Sequence, residues 1–510
     1  MSAAGEGAMM RPDDVTQFVP IVPVKKDYSA QNAIKDKVID DLVMFSRNFQ
    51  IIVKGGTLTK LIERLTFEST TDNDYIDTFL LTYRTFISPL DLLEQLLERY
   101  RTGSAEINLE GISEIEASNA EKKQKIIRIR VGNVLKRWLS DHYHDYHDPQ
   151  MLSRLESGIA EIQEPQLQAT LRKTIQEQQL QKNKIRDLMF SKEKPLPIQP
   201  KGALFEDWDV IEVARQLCLY EQSIYQQIHP KEALNQAWNK HKERAPNIIR
   251  MIAFFNRMSK WVSTQICHRE EFKARVKLII KFMQLTVALR QYNNFDCMQA
   301  VLSGLNNSSV FRMKASWAKI QKEKFYGQWK LMATEITDTT NNSHNYRLAV
   351  SNADPPIIPY LGVYLTDLTF CEDGNSDYLR VQGGREDIVN FEKMRRVAVV
   401  IKDICTYQQT PYNFERVPII YDFFAGELPF EDDNTLFKKS RVLEPPDANN
   451  PGQVISPKKS KKPLSSFRRV SLGIFSSKDN NNNNDDDASS SSSSPKDKKK
   501  DKDKSKFGVK

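Results

Sequence analysis

The chain lacks long hydrophobic runs: none of its 510 residues fall in an uninterrupted apolar stretch of about 18, the length a membrane-spanning helix needs. Its opening, MSAAGEGAMMRPDD, has no charged-then-apolar pattern, so export is not expected. Cysteine is sparse. Cys218, Cys267, Cys297, Cys371 and Cys405 stand apart with no CxxC pair. Such usage fits reduced, mostly buried thiols in a cytoplasmic protein, and offers no framework for disulfides or zinc.

Catalytic signatures are missing too. There is no GxxxxGK[ST] phosphate loop, since Gly55-Gly56-Thr57-Leu58-Thr59-Lys60 lacks its spacing. Nor is there a GxGxxG, a GxSxG elbow, an HExxH or a kinase HRD and DFG set. The chain is not expected to bind or cleave nucleotide by itself, and no cofactor or metal is expected. One dense cluster, Asp141, His142, His144, Asp145, His147 and Asp148, contains metal-ligand types. It reads as a solvated polar turn ahead of Pro149, because no cysteine or orienting partner accompanies it.

Charge is unevenly spread. The total is +8, yet from Arg441 onward 16 Lys+Arg face 9 Asp+Glu, which leaves the first 440 residues near neutral. A nearly neutral body is not a nucleic-acid-binding domain, whereas a basic tail suits an acidic surface.

Helical periodicity dominates what is present. Leu58, Leu61, Ile62 and Leu65 share one face. Helices are expected over Asp74–Phe86 and Pro89–Tyr100, with Ser88 as N-cap and Pro89 in the first helical position. Another is expected over 125–140. The three prolines of KEKPLPIQPKG (192–202) mark a break. Beyond it Val210–Ile228, Ala245–Ile266, Arg269–Tyr292 and Phe295–Leu305 are the clearest helices, and no segment alternates like a large sheet. The expected fold class is all-α. The divisions are a leader over 1–45, a helical module over 46–191, a linker over 192–204, a larger domain over 205–440 and a low-complexity tail over 441–510. The tail carries too little apolar surface to offset its chain entropy.

Five segments then stand out in order: VARQLCLYEQSIYQQI (213–228), APNIIRMIAFFNRMSKWV (245–262), YNNFDCMQAVLSGLNNSSVFRMKASW (292–317), DPPIIPYLGVYLTDLTFCEDGN (354–375) and NFEKMRRVA (390–398). They resemble the signature blocks of the Ras-type exchange-factor (RasGEF) catalytic domain. GGTLTKLIERLT and DYIDTFLLTYRTFISPLDLLEQL, within 55–96, resemble the Ras-exchanger module that accompanies it. The resemblance implies a protein that speeds nucleotide release from a Ras-family small GTPase, Ras or Rap, without bond chemistry. It also implies a helical hairpin that levers a GTPase switch from the nucleotide, and an N-terminal module packed against that hairpin.

On this resemblance the first hairpin helix is Lys319–Ile336, the polar tip is TDTTNNSHN, and Tyr346–Val350 begins the return. Leu331 and Glu335, four apart on one face, suit an apolar group that blocks the Mg²⁺ site and a carboxylate that mimics phosphate. Core packing for Leu331 and a solvated face for Glu335 are the alternative. Arg215 would meet a GTPase carboxylate or carbonyl, Asn247 and Asn294 its backbone, and Phe295, Phe311 and Trp317 would form an apolar pocket. Ordinary core packing is the rival for these aromatics.

In the tail, KKSKKPLSSFRRVSLGIF (458–475) joins six basic groups to Phe467, Leu472, Ile474 and Phe475. That composition fits an anionic membrane surface, and hence recruitment to the plasma membrane. Arg468-Arg469-Val470-Ser471 fits a basophilic kinase, whose phosphate on Ser471 would oppose binding. An inert solubilising tail is the alternative. Rival readings of the whole are a scaffold that captures a GTPase without releasing nucleotide, an unrelated helical adaptor, and a metalloenzyme built on the His/Asp cluster.

Overall fold

Short polar side chains start the first helices. The computed structural model describes residues 37–39, 42–47, 50–69, 71–102, 114–180, 194–380 and 387–446. Thr57 caps α1 (Leu58–Leu65), whose Leu61, Ile62 and Leu65 are buried as their spacing requires. Asp72 accepts from the Tyr75 amide at 2.9 Å to start α2 (Asn73–Thr82), which ends in a 3-10 turn over Tyr83–Thr85. Ser88 Oγ accepts from the Asp91 amide at 3.2 Å at the start of α3 (Pro89–Thr102), the expected N-cap. α4 (Glu114–Asp141), α5 (Pro149–Glu161) and α6 (Pro165–Leu180) complete a helical module around Trp138, Leu135, Leu96 and Tyr75.

The larger body is built from α7 (Val210–Tyr225), α8 (Pro246–Cys267), α9 (Phe272–Gln291) and α10 (Phe295–Leu305). α8 and α10 touch closely at Gly304, where a Cβ would come within 2.6 Å of the Ser259 carbonyl oxygen. α11 (Tyr326–Thr337) and α12 (Thr340–Ser351) form an antiparallel pair. α13 (Leu361–Asp373), α14 (Phe391–Thr406), α15 (Pro418–Ala425) and α16 (Asp433–Leu443) follow. The fold is all-α.

A small antiparallel sheet accompanies the helices. β1 (Lys37–Ile39), β2 (Leu42–Arg47) and β3 (Gln50–Gly56) meet β4 (Tyr378–Leu379) and β5 (Ile388–Asn390) in the order β1-β2-β3-β5-β4. The first strand thus begins inside the segment read as a leader. β3 pairs with β5 through Gly55↔Asn390 and Gly56↔Val389. A Cβ on Gly55 would lie 2.5 Å from the Val389 carbonyl oxygen, so the strands meet only because residue 55 is glycine.

This pairing joins the two halves. Val389, Phe391 and Met394 are buried in the core of the N-terminal module, not in that of the larger body. The Phe391 ring packs 4.6 Å from Tyr75, while Arg395 and Lys402 reach Asp74 at 3.0 and 3.4 Å. A second contact sets the His144 ring 5.2 Å from that of His229, which precedes the turn Pro230–Gln236. The module's main packing therefore falls on β5, α14 and this turn, where the resemblance led us to expect the hairpin.

The His/Asp cluster is solvated only in part: Asp141, His147 and Asp148 are exposed, but His142 and Asp145 are buried. Asp145 is 4% exposed and accepts from Tyr83 Oη at 2.5 Å, Trp138 Nε1 at 2.8 Å and Arg84 Nε at 3.1 Å. His144 Nε2 lies 3.1 Å from it. Burial alone would raise the Asp145 pKa; the His144 bond and charge, with Arg84 and Tyr83, outweigh it and hold the carboxyl well below its usual range. The pattern of alternating polar residues hid a buried anion whose oxygens are taken by protein donors.

Candidate functional site

The α11–α12 pair projects two kinds of face. Trp329, Ala333 and Ile336 of α11 are buried, while Leu331 is 74% exposed and Glu335 is exposed. The apolar face is anchored: Trp329 Nε1 donates to Thr286 Oγ1 at 2.9 Å, and Gln299 Nε2 donates to the Ile336 carbonyl at 3.0 Å. The returning arm buries Tyr346 and Val350. Tyr346 Oη accepts from the Tyr360 amide at 2.7 Å, and its ring meets Phe295 edge-on at 5.7 Å. Between the arms Asn341, Asn342 and Ser343 take left-handed φ of 51°, 58° and 56°. The first arm is shorter than expected. A helix over Lys314–Ile320 ends, and the chain restarts at Tyr326, so Lys319–Ile336 is not one helix.

Leu331 and Glu335 thus share the outward face of a braced helix. Glu335 also faces Arg290: burial pulls that guanidinium's pKa down, and the Glu335 carboxylate offsets part of the fall. An exposed leucine beside an exposed carboxylate on a helix anchored by these bonds can enter another protein's pocket with little reorganisation.

The remaining candidates divide. Phe311, 64% exposed, ends a short helix, Ser308–Phe311. Trp317 is half-buried, donates to the Val310 carbonyl at 3.1 Å and stacks on Trp329 at 6.5 Å, which sets this stretch beside the hairpin base. Arg215 is engaged within the chain. Its Nε donates to Tyr292 Oη at 3.1 Å, and Nη1 to the Leu196 carbonyl at 3.1 Å and Glu212 Oε2 at 3.2 Å. Asn247 is bound to the buried Glu232, which accepts from Asn247 Nδ2 at 2.7 Å and from the Asn247 and Ile248 amides at 2.8 and 3.0 Å. That carboxylate caps α8 where the helix dipole favours an anion.

Asn294 and Phe295 lie in the core. Both are fully buried, and Asn294 Oδ1 accepts from the Cys297 amide at 2.9 Å as the N-cap of α10. Neither presents a surface to a partner, which corrects the expectation for both. Their residue types signal cap and core as readily as contact, and burial decides between these roles. Ser471 and the basic 458–475 segment lie outside the described residues.

Next to Asn294 sits a pair of acids that sequence reading did not single out. Glu221 and Asp296 are buried, and Asp296 Oδ1 accepts from the Leu361 amide at 3.0 Å. Burial raises both pKa values; Glu221 raises that of Asp296 further, whereas hydrogen bonds from Cys297, Asp296 and Asn294 oppose the rise at Glu221, so the pair shares a proton that Asp296 holds. Among the described residues no helix is long and apolar enough to cross a membrane, and no group of His, Cys, Asp and Glu is arranged to hold a metal.

Comparison with known proteins accounts for this architecture. Residues 212–395 match the RasGEF domain, and residues 52–157 match the RasGEF N-terminal motif. The chain is 35% identical over 427 residues to Ras guanine nucleotide exchange factor P of Dictyostelium discoideum, covering 81% of this chain and 28% of that protein. With factor A of the same organism it shares 34% over 387 residues, 74% of this chain and 61% of the relative. With factor E it shares 29% over 527 residues, 80% of this chain and 50% of the relative. The chain therefore spans under two thirds of the length of each of these three. With both family segments present in order, the chain belongs to the Ras-type guanine-nucleotide exchange factor family.

Proposed function

We propose that this chain promotes GDP release from a Ras-family small GTPase, Ras or Rap, by stabilising the nucleotide-free form. The observation that carries the reading is the hairpin: Leu331 and Glu335 stand exposed, four residues apart, on a helix braced through Trp329 and Ile336. In this reading Leu331 closes the Mg²⁺ position of the GTPase, Glu335 takes the place of a phosphate, and a switch is displaced. No covalent bond is made or broken, so the chain is an exchange factor and not an enzyme in the bond-making sense.

Linkage sets the energetics. The preference for the empty GTPase equals the nucleotide affinity lost in the complex, about 1.4 kcal/mol for each tenfold. Phe311 and Trp317 flank the hairpin base and supply apolar contact to the GTPase body. Arg215 and Asn247 take part by shaping that surface, since their polar atoms are engaged internally. Residues 46–191 serve as the exchanger module and 205–440 as the catalytic domain. The 458–475 segment tethers the protein to anionic plasma membrane until a basophilic kinase phosphorylates Ser471.

The test loads Ras, and separately Rap, with a fluorescent guanine nucleotide and follows its release with the chain added. Acceleration on one of them supports the reading and identifies the substrate. Binding to both without acceleration would replace it with a capture scaffold.

A further inference from the structure

The hairpin's return arm carries a cation that joins its tip to the body. Arg347 of α12 donates through Nε to the Asn342 carbonyl at 2.9 Å, inside the left-handed turn. Through Nη2 it reaches both carboxylate oxygens of Asp367 on α13, at 2.9 and 2.7 Å. Asp367 is buried, which pushes its pKa up, while the charge and bond of Arg347 and then the Asn342 side chain oppose that rise. A second carboxyl, Asp403 of α14, faces the same guanidinium. Burial pushes its pKa up to about 6, with Asp367 adding to the rise and Arg347 opposing it. Tyr364 and Tyr407 pack beside these groups with ring centroids 6.4 Å apart.

The connectivity gives this node its meaning. α13 packs on α14, and α14 begins at Phe391 in the core of the N-terminal module. One chain of contacts thus runs from the hairpin through Arg347 and Asp367 to α13, and from α13 through α14 to the module. Three successive left-handed residues, none of them glycine, need an outside partner to persist. A planar guanidinium can serve a carbonyl and a carboxylate at once, which a lysine ammonium does poorly.

We propose that Arg347 is a positioning residue for nucleotide release: by holding the Asn342 carbonyl and the Asp367 carboxylate together, it fixes the angle at which α11 presents Leu331 and Glu335. The proposal rests on the hairpin reading given above. Arg347 acts through the hairpin and makes no contact with the reacting groups.

The experiment compares the full chain with Arg347→Ala, Arg347→Lys and Asp367→Asn. It measures the maximal release rate of fluorescent GDP from the responsive GTPase, its KM, and amide hydrogen exchange along the chain. Arg347→Ala and Asp367→Asn should each lower the maximal rate by at least about tenfold, as misplacement of a working group does. KM should move by less than about threefold, since the body's binding surface is kept. Faster amide exchange should be confined to 326–351, and Arg347→Lys should recover part of the rate. An unchanged maximal rate in Arg347→Ala, a loss confined to KM, or exchange loosened throughout α13 and α14 would overturn the positioning role. A wild-type chain that releases no nucleotide would instead sink the functional reading, and the positioning role with it.

Discussion

His142 shows how a single side chain can set the acid limit of the N-terminal module. Burial, and then the charge of His144, push its pKa down to about 4, so the folded module favours the neutral ring. The sign follows from a depressed folded pKa. Its stabilising contribution is complete above the unfolded value of about 6.5 and is lost as pH falls through about 4. The loss amounts to roughly 3 kcal/mol at most. Urea unfolding at pH 7 and pH 4.5 should show the wild type losing much of this, and His142→Asn a visibly flatter dependence. Equal slopes for the two proteins would assign the acid sensitivity elsewhere. Asp145 adds its own loss only below the ordinary carboxylate range, because its pKa is held down.

The buried acids of the larger body have the opposite sign. Glu221 and Asp296 have raised pKa values, burial being the main cause, so the pair stabilises the fold when protonated. That contribution is full below the unfolded values near 4 and is lost as pH rises through the folded ones. Asp296→Asn, which keeps a neutral group beside Glu221, should reduce the fall in melting temperature between neutral and alkaline pH. An unaltered alkaline profile would contradict a shared proton.

At the scale of elements, local chemistry was legible and distant contact was not. Ser88, Pro89 and the Leu58-to-Leu65 spacing read correctly because caps and helix faces depend on neighbours a few residues away. The Leu331 and Glu335 face was legible for the same reason. The insertion of β5 and the start of α14 into the module core was not, since Val389 and Phe391 meet Gly56 and Tyr75 from more than three hundred residues away. Asn294 and Phe295 misled for a related reason: an Asn before a hydrophobic run caps a helix or meets a partner with equal ease until burial is known. Nothing near Arg347 in sequence marks it out, because its partner Asp367 lies on another helix.

The inserted element makes a strong prediction. Phe391 is fully buried against Tyr75 and Phe79. Its replacement by alanine should cost about 3–5 kcal/mol, the usual range for a buried Phe. Calorimetry of Phe391→Ala should then separate the module and the larger body into two transitions. A single transition with a loss under about 1 kcal/mol would show that the halves are not coupled through this ring.

At the scale of the whole molecule, contacts run from the module through α14 and α13 to the hairpin, which α9 and α10 also brace. The sheet fixes β5 to the module, buried Lys393 ties α14 to Glu372 and Asp377 at 2.5 Å each, and Arg347 ties the hairpin to α13. Such an arrangement suits the proposed role, in which the hairpin pushes on a partner, because a lever needs a rigid base. It also explains why the exposed Leu331 is tolerated on a helix whose other face is so firmly packed.

The most direct test is nucleotide release from the responsive GTPase by the wild-type chain and by Leu331→Ala/Glu335→Ala. The account predicts that the double variant keeps its fold and still binds, yet loses at least about 2 kcal/mol of stabilisation of the empty GTPase, a fall of roughly 30-fold in rate. Wild-type release by the double variant would contradict it and place the working surface away from the hairpin.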